Sequence, residues 1–458
     1  MAIATASSAW AQSNLFSWQG QPGSVEHPRP NIRGAEREWP VGVNIRAVMA
    51  SERARSSIRV LVPGRPPLVF QQRNVEPLRG FRILDNFDYE PDPAVPDSGL
   101  TYTWYGSSGS KQMTMSVYEG RVSATIQFDD RVFSISSRDG QQVVRQFDPG
   151  QMLGDADAGI EPEVGPSEIV APKKATPMVA FAAKSAVDFV DILVVHTPAA
   201  FASLGNDQAQ LNAVGSEAFQ QSEQSFSNAG VNTLRVRNVL AGNASLSEPV
   251  DYDEDSGWTC AGSNAVTCRW VGHRVWLRTD ATVQSLRNTY GADLVVMLVA
   301  DNGTGGLAYT QRTDCGTITN YEATPGCAVG AAYGNFAYSV VWVGQATVFQ
   351  IFAHETGHQF GMEHQSGSAT PSYPWSFARS LSDVQTIMGV SLFTRSLQYS
   401  NPNVPFIGRT EPSGETLRFN ARTAYCLAPV MSGYRTPGQI LRLFWDSYED
   451  WLIPTSGC

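Results

Sequence analysis

The sequence predicts a protein of mixed α and β structure, with an antiparallel β-rich first half and an α/β second half that ends in an irregular portion. Two patterns carry this prediction. Residues 55–148 alternate apolar and polar side chains as half-buried strands do, and residues from 188 onward combine short apolar runs with helical periodicity. A chain of 458 residues allows up to three domains, and 42% hydrophobic residues suffice for packed cores.

The chain begins with MAIATASSAWAQ, which is similar to the end of a signal peptide cut after Ala11 but lacks a basic start and a full apolar stretch. We expect residues 1–11 to be a remnant signal peptide and the protein to be secreted, or periplasmic in transit. An ordinary disordered terminus is the alternative. All six cysteines follow residue 250, which fits export and disulfide bonds. The simplest of the 15 possible pairings joins 260 with 268, 315 with 327 and 426 with 458.

Residues 12–150 are predicted to form a β domain. Its strands are IRVLV, TYTWY, KQMTMSV, RVSATIQF, RVFSIS and QQVVRQF, separated by turns such as Glu119-Gly120 and Asp129-Asp130. Residues 151–187 are rich in Pro, Gly, Ala and acids and read as a linker. Three of the four lysines of the chain lie there, so the linker is expected to hold a processing site, with a plain spacer as the equal alternative.

The second half alternates strands and helices. The runs DILVVHT and ADLVVMLVA predict buried strands, and TLRVRNVLA predicts another. Between the first run and TLRVRNVLA, one helical face is lined by Leu211, Val214, Ala218, Phe219, Phe226 and Ala229, with Gly230 as a stop signal.

The most informative stretch is HETGHQFGMEH, residues 354–364, which holds three of the six histidines of the chain. In an α-helix His354 and His358 project from one face a turn apart and can bind a single ion, with Glu355 beside them. The helical apolar pattern continues upstream at Val348, Ile351 and Phe352.

Gly361 follows one short turn after the second histidine, where a helix end favours a residue that tolerates left-handed φ. The chain can then reverse and present His364 as a third ligand. Three neutral imidazoles leave one zinc position open, which is typical of catalytic rather than structural zinc sites.

These residues spell the HExxHxxGxxH signature of the metzincin zinc endopeptidases, and VQTIMGV, which contains Met388, resembles their Met-turn. The finer resemblance is to bacterial reprolysin-like enzymes, in particular the peptidyl-Asp metalloendopeptidase group. It rests on VDILVVHTPAA, GADLVVMLV, FAYSVV and YSNPNVPFIG followed by NART. Gln365 departs from the Asp of many reprolysins. Val390 replaces the Tyr of astacins and serralysins, so no tyrosine ligand is expected.

The resemblance implies a metzincin-type catalytic domain over residues 188–436, with a twisted mixed sheet, an active-site helix and an irregular lower subdomain. It implies one catalytic zinc on His354, His358 and His364, with Glu355 as general base for a zinc-activated water. Gly361 and Met388 would be structural residues of the site.

Substrate contacts are also implied. Metzincins hold an extended peptide against an edge strand, and the segment GGLAYT, with Gly306, Leu307 and Ala308, is the candidate. Arg395 follows the Met-turn and could pair bidentately with an Asp side chain, so that cleavage would occur before Asp. A solvent-exposed Arg395 is the alternative, and Arg379 is the reserve.

The β-rich first half then resembles a propeptide that keeps a zymogen latent. It contains no Cys, so a cysteine switch within one chain is excluded, and latency would need a carboxylate or steric cover. Residues 437–458 form a C-terminal tail past the resemblance.

Charge and hydropathy restrict the partners. A net charge of −10 argues against nucleic acid as a binding partner. The sequence contains no apolar run of 18 residues, so no membrane span is predicted. We expect protein or peptide substrates and a monomer. The acidic stretch DYDEDSG could hold Ca²⁺ but lacks the calcium-loop pattern, so a solvated loop is favoured. The chief functional alternative is an adhesin or binding protein with a metzincin-like scaffold, but an intact Glu355 favours the enzyme.

Overall fold

The computed structural model of the protein describes residues 13–18, 35–46, 57–62, 64–84, 89–138, 140–151, 187–256, 265–311, 331–365, 372–373 and 375–435. The predicted signal remnant (1–11), almost all of the predicted linker (152–186) and the tail (437–458) lie outside these residues. Cys260, Cys315, Cys327 and Cys458 do as well, so the disulfide pairing stays a prediction. The two described cysteines, Cys268 and Cys426, are not free thiols.

The described residues of the first half form twelve strands. They are β1 (Ser13–Asn14), β2 (Phe16–Trp18), β3 (Ala35–Val43), β4 (Ser57–Val60), β5 (Leu68–Arg79), β6 (Phe81–Ile83), β7 (Tyr89–Pro91), β8 (Thr101–Ser108), β9 (Lys111–Tyr118), β10 (Arg121–Gln127), β11 (Val132–Arg138) and β12 (Gln141–Phe147). Strands β6 and β7 pair with each other, and the other ten form one sheet in the order β1-β4-β5-β8-β9-β10-β11-β12-β3-β2.

This ten-stranded sheet curls on itself. Its two outermost strands, β1 and β2, are separated in the chain by Leu15 alone, whose amide donates to the Arg59 carbonyl and whose carbonyl accepts from Asn44. The sheet encloses an apolar core built from alternate residues, among them Tyr102, Trp104, Met113, Met115, Val122 and Ile126. The antiparallel prediction is confirmed for β8 to β12.

The strands predicted from the sequence did not include β1, β2, β3, β5, β6 or β7. Strand β5 is largely exposed and contains Pro77, and β3 contains Pro40, so neither shows the clean alternation of a half-buried strand. The β structure therefore begins well before the residue-55 start of the alternating pattern.

The second half contains six helices and eight strands in its described residues. They are β13 (Asp188–His196), α1 (Pro198–Ser203), α2 (Gln208–Asn228), β14 (Leu234–Asn238), β15 (Glu248–Pro249), α3 (Ala265–Thr279), α4 (Ala281–Tyr290), β16 (Leu294–Val299), β17 (Gly306–Ala308), β18 (Tyr338–Trp342), α5 (Ile351–Gln359), β19 (Val384–Gln385), β20 (Thr394–Arg395) and α6 (Asn420–Met431).

Most of these strands form a second sheet in the order β14-β13-β16-β18-β17, with β15 also beside β13. The pairs are parallel except at the edge, where β17 runs antiparallel to β18. The predicted strands and the predicted apolar face of α2 are confirmed, and Gly230 follows the helix at φ 81°.

Two further features orient the site. Helix α5 lies against β17 and β18 and contacts α2, where Phe352 packs on Phe219 with ring centroids 5.2 Å apart. Beyond α5 the described chain has only the short β19–β20 pair and α6 as regular elements, which agrees with the predicted irregular lower subdomain.

None of the helices in the described ranges is both long and apolar enough to cross a membrane.

One expectation about α5 is wrong. The apolar pattern placed Val348 in the helix, but the helix begins at Ile351 because Gln350 adopts left-handed backbone angles, φ 58° and ψ 31°. Val348 lies in the preceding turns and is still buried. A buried turn has the same apolar composition as a buried helix, so the pattern could not separate them.

Candidate metal centre

Helix α5 ends in a way that allows the chain to reverse. Gly361 has φ 75°, as predicted. Its amide donates to the His358 carbonyl at 2.7 Å, and the amide of Met362 donates to the Gly357 carbonyl at 3.0 Å. These two bonds form a Schellman motif, which satisfies the last carbonyls of the helix and turns the chain back.

The reversal brings three imidazoles together. The Nε2 atom of His364 lies 3.1 Å from Nε2 of His354 and 3.0 Å from Nε2 of His358. All three side chains are buried, at 2% exposure or less. They form the one group of three or more His, Cys, Asp or Glu residues in the described chain whose ligand atoms could hold a metal ion.

Backbone carbonyls fix the protons of two of these rings. Nδ1 of His354 donates to the Ile387 carbonyl at 2.8 Å, and Nδ1 of His358 donates to the Met362 carbonyl at 2.9 Å. A carbonyl can only accept, so each neutral ring carries its proton on Nδ1 and presents a lone pair on Nε2. Converging lone pairs repel one another unless a cation lies between them. The donor set therefore fits a zinc ion, which prefers neutral imidazole nitrogen.

Met388 packs against helix α5. It directly follows Ile387, whose carbonyl orients His354. The side chain is fully buried, and a Cβ atom added to Gly357 would lie 2.3 Å from Met388 Sδ. Gly357 thus lets the Met-turn approach the helix between the two histidines. The sequence reading did not identify Gly357 or the Ile387 carbonyl. Gly357 could have been noticed as a glycine inside a predicted helix, which often has a packing reason. The role of the Ile387 carbonyl could not be predicted, because every residue has a backbone carbonyl.

Glu355 lies beside the edge strand. A Cβ atom on Gly306 would come within 2.3 Å of Glu355 Oε1, so the strand passes close to the carboxylate, which is itself fully buried. Gly306, Leu307 and Ala308 form β17 and are all buried. The structure therefore brings the predicted general base and the predicted substrate strand together.

The register of β17 determines which backbone groups face outward. The Trp342 amide donates to the Gly305 carbonyl and the Tyr309 amide donates to the Tyr338 carbonyl. In an antiparallel pair such bonded positions alternate, so Leu307 also faces β18, whereas the amides and carbonyls of Gly306 and Ala308 point to the open side. The Ala308 carbonyl accepts a bond there from Arg274.

Arg395 is buried at 4% exposure, so the alternative of a solvent-exposed side chain is wrong. Its guanidinium donates to the Gly389 carbonyl through Nε and Nη2 and to the Phe349 carbonyl through Nη1 at 2.7 Å. It thereby links the Met-turn to the chain that enters α5. The reserve, Arg379, donates to the Gly414 carbonyl and pairs with Glu415 at 3.3 Å.

The remaining acidic and histidine groups brace the fold. Glu254 of the acidic stretch is buried and accepts bonds from Thr197 and from the amides of Ala300 and Asp301. His273 lies between Tyr252 and Asp301, at 2.8 and 3.1 Å. These contacts support structural roles.

The fold and the site define a class of protein: an α/β protein with three converging histidines that could hold a metal ion, next to a glutamate in the chain. The particular family follows from a comparison of sequences. The model of the Reprolysin_5 family, described as metallo-peptidase family M12, matches residues 188–400, so this part of the chain is similar to that family.

Comparisons with solved structures give weaker similarities. A chain from "Structure of a chaperone-substrate complex" is 17% identical, with a TM-score of 0.40, over 55% of this chain and 36% of its own length. Metalloproteinase-II from Bacteroides fragilis is 11% identical, with a TM-score of 0.35, over 76% of this chain and 88% of its own length. Neither similarity supports an argument at these values. No curated protein matches the chain.

Proposed function

We propose that this protein is a zinc-dependent endopeptidase that hydrolyses peptide bonds with Glu355 as general base. The observation that carries the proposal is the convergence of three imidazole Nε2 atoms, two of them with their protons held on Nδ1 by backbone carbonyls. The similarity of residues 188–400 to the M12 metallopeptidase family supports the same activity. Protein or peptide chains are the proposed substrates.

The residues of the chain divide the chemistry between them. His354, His358 and His364 would hold zinc, which would supply Lewis acidity toward the scissile carbonyl and lower the pKa of the attacking water. Glu355 takes the proton from the attacking water and delivers it to the leaving amine. The outward amide and carbonyl of Gly306 and the outward amide of Ala308 pair with an extended peptide, which aligns its carbonyl with the carboxylate.

The wider organisation belongs to the same proposal. Residues 1–11 are a signal remnant, 12–150 a propeptide domain, 151–187 a linker with the processing site, 188–436 the catalytic domain and 437–458 a tail. Export would carry the protein out of the cytoplasm and allow its cysteines to form disulfides. N-terminal sequencing of the secreted form tests this organisation, and a mature protein that still begins near Gln12 would contradict it.

Cleavage before Asp is the proposed specificity. The position of Arg395 after the Met-turn supports it, because a guanidinium there can pair bidentately with a carboxylate once it exchanges its bonds to the Gly389 and Phe349 carbonyls. Peptides that differ only by Asp or Asn after the scissile bond test the assignment. If Arg395 reads the substrate, Arg395→Met lowers kcat/KM for the Asp peptide and leaves that for the Asn peptide much less affected. An equal loss for both peptides would make Arg395 a brace of the Met-turn only.

Casein digestion tests the activity itself. A chelator should abolish digestion, and added zinc should restore it. A binding protein with a metzincin-like scaffold would bind zinc equally well but digest nothing at any zinc concentration, so zinc binding without digestion would favour that alternative.

A further inference from the structure

The ten-stranded sheet of the first half has two buried faces of opposite character. One face encloses the apolar core described above. The residues between those core positions on β8, β9 and β10 point the other way and are polar, yet they are buried too: Thr101, Thr103, Ser107, Gln112, Thr114, Ser116, Ser123, Thr125 and Gln127. A sheet face of this polar composition is usually exposed to solvent, but in the folded chain it is buried.

Helix α2 covers this face. It contacts β8, β9 and β10, and its buried residues include a polar stripe at helical spacing formed by Gln210, Glu217, Gln221 and Gln224. Its apolar residues, such as Leu211 and Phe226, belong to the core of the second half. The helix therefore presents one apolar side to its own domain and one polar side to the first sheet.

Glu217 lies at the centre of the polar contact. Its carboxylate accepts a hydrogen bond from Thr114 Oγ1 at 2.7 Å and one from Ser123 Oγ at 2.6 Å, both from the first sheet. Gln221 of the same helix donates to both the carboxylate and Thr114. The side chain is fully buried, and its described partners are hydroxyl groups and an amide.

Further polar bonds surround this centre. The Ser137 amide donates to Gln210, and Arg121 pairs at 2.7 Å with Asp207, the residue that caps α2. Apolar contact across the boundary comes from Tyr105, Val132 and Phe147, which join the second core. Most of the strand face that meets α2 is nevertheless hydroxyl and amide.

Several polar atoms of this interface are buried without forming a hydrogen bond. Within the described chain Ser116 Oγ, Gln127 Oε1 and Gln221 Oε1 are buried with no hydrogen-bond partner. Each would be hydrated if the two surfaces were apart, so covering it costs free energy, about 1–3 kcal/mol for a typical polar group. Interfaces that never open are more apolar than those that do.

We propose that the polar face of β8, β9 and β10 and the polar stripe of α2 form a separable interface, from which the first sheet dissociates once the chain between the two halves is cut. The N-terminal sheet is thus a docked partner of the catalytic region, and the same stripe of α2 becomes a water-exposed surface of the released catalytic part. The inference rests on the proposed assignment of the second half as the catalytic part, but none of the proposed catalytic residues contributes to the interface.

Glu217 makes the docking sensitive to pH. Burial raises the pKa of its carboxyl to about 7, from an ordinary value of 4.5, against the opposing effect of its hydroxyl donors. Other ionisable groups lie on the elements packed around α2. They are Asp207 and Glu223 at α2 itself, Tyr102 and Tyr105 on β8, Lys111 and Tyr118 on β9, Arg121 on β10, Arg235 and Arg237 on β14, and Glu355 with its two histidines on α5. Asp207, Glu223 and Lys111 have partners of opposite charge in Arg121, Arg235 and Asp129.

The sign of the effect follows from linkage. The docked state binds a proton at Glu217 that the separated state releases above pH 4.5, so docking is strongest in acid and weakens as pH rises toward 7. The dissociation constant should increase about twenty-fold between pH 5.5 and pH 7.5 and change little above pH 8.

The experiment uses the full chain in the inactive Glu355→Gln background, with the recognition sequence of a site-specific protease inserted between residues 152 and 186. After cleavage, analytical ultracentrifugation from pH 5.5 to pH 8.5 measures association of the two pieces. We expect a one-to-one complex that dissociates with the pH dependence given above. In Glu217→Gln the carboxyl no longer titrates, so the dissociation constant should change less than about threefold over the same range.

A matched control is Glu248→Gln, which removes a carboxylate that accepts from the Tyr290 hydroxyl within the second half. It should retain the pH dependence of the unsubstituted interface. Ser123→Ala removes one donor to Glu217 from the sheet side and should weaken docking at pH 7.5 even if Glu217→Gln fails to fold. Pieces that stay associated at nanomolar concentration at every pH, an unchanged pH dependence in Glu217→Gln, or unchanged docking in Ser123→Ala would each overturn the proposal.

Discussion

Two backbone carbonyls decide which nitrogen of His354 and of His358 faces the metal position. The carbonyl of Ile387 belongs to the Met-turn and that of Met362 to the reversal after α5, so both orienting groups come from turns rather than from the helix that carries the rings. Spacing in the sequence predicted that these two rings share one face, because a helix places positions i and i+4 on the same side. It could not identify the groups that fix their protons, because every residue has a carbonyl.

Glu355 provides the first prediction at this scale. Glu355→Gln keeps the size of the side chain but removes the base, so we expect zinc content to stay normal and kcat to fall by about 10²- to 10⁴-fold. Metal analysis of the purified variant and peptide hydrolysis measure the two quantities. Near-normal turnover with zinc present would remove Glu355 from its proposed role.

Gly306 provides the second. In Gly306→Ala the new methyl group would lie 2.3 Å from Glu355 Oε1 and 2.6 Å from Cδ, so the carboxylate must move. Displacing a catalytic group by about 1 Å costs on the order of 10²-fold in rate, so we expect kcat to fall with zinc affinity unchanged.

The matched control for this variant is Gly215→Ala in helix α2. A Cβ atom there meets nothing within 4 Å, and alanine favours the helix by about 0.5–1 kcal/mol. It should raise the melting temperature slightly and leave kcat unaltered. If Gly306→Ala behaved in the same way, β17 would not lie against the carboxylate as described.

At the scale of elements, the sequence predicted those whose periodicity is strong on one face. Helix α2 and strands β13 and β16 are examples, since long apolar patterns leave few alternatives. Strand β3 was missed because it contains Pro40, which is unusual in a strand, so only pairing with its neighbours reveals it. The start of α5 was misplaced because the left-handed backbone of Gln350 is determined by the surrounding turns. The contact between α5 and the Met-turn depends on residues 31 positions apart, which no local pattern records.

The same contact gives the third prediction. In Gly357→Ala the methyl group would lie 2.3 Å from Met388 Sδ and 3.1 Å from Tyr399 Cε1, so the Met-turn must shift away from α5. The Ile387 carbonyl then loses its bond to His354, and losing such an orienting group typically costs about 10–100-fold in metal affinity. Competition with a chromophoric chelator measures the zinc affinity.

A second substitution separates crowding from other effects of Gly357→Ala. Met388→Ala removes the group that is crowded, so the double variant should recover part of the zinc affinity lost by Gly357→Ala. If the two losses simply add, the glycine does not act by accommodating Met388.

At the scale of the whole molecule, the chain builds two cores, one inside the curled sheet and one between the second sheet and its helices. The alternation of the first half predicted strands with one polar face, and that face exists. Its burial against α2 was not foreseeable, because Thr, Ser and Gln at alternate positions are the usual signature of a solvent face. Contacts between distant halves of a chain leave the least trace in local sequence.

Two cores joined by a polar contact should respond differently to the metal. The three histidines that could hold zinc lie in the second half. If zinc binds there, calorimetry of the full Glu355→Gln chain at pH 8 should show two transitions, of which zinc moves one. Zinc at a hundredfold excess over its dissociation constant adds about 2.7 kcal/mol, which raises that melting temperature by on the order of 5–10 °C. Calcium should move neither transition, because three imidazoles are poor ligands for it. A single transition that shifts as a whole with zinc would mean that the halves unfold as one unit, and their contact would then be stronger than its polar composition allows.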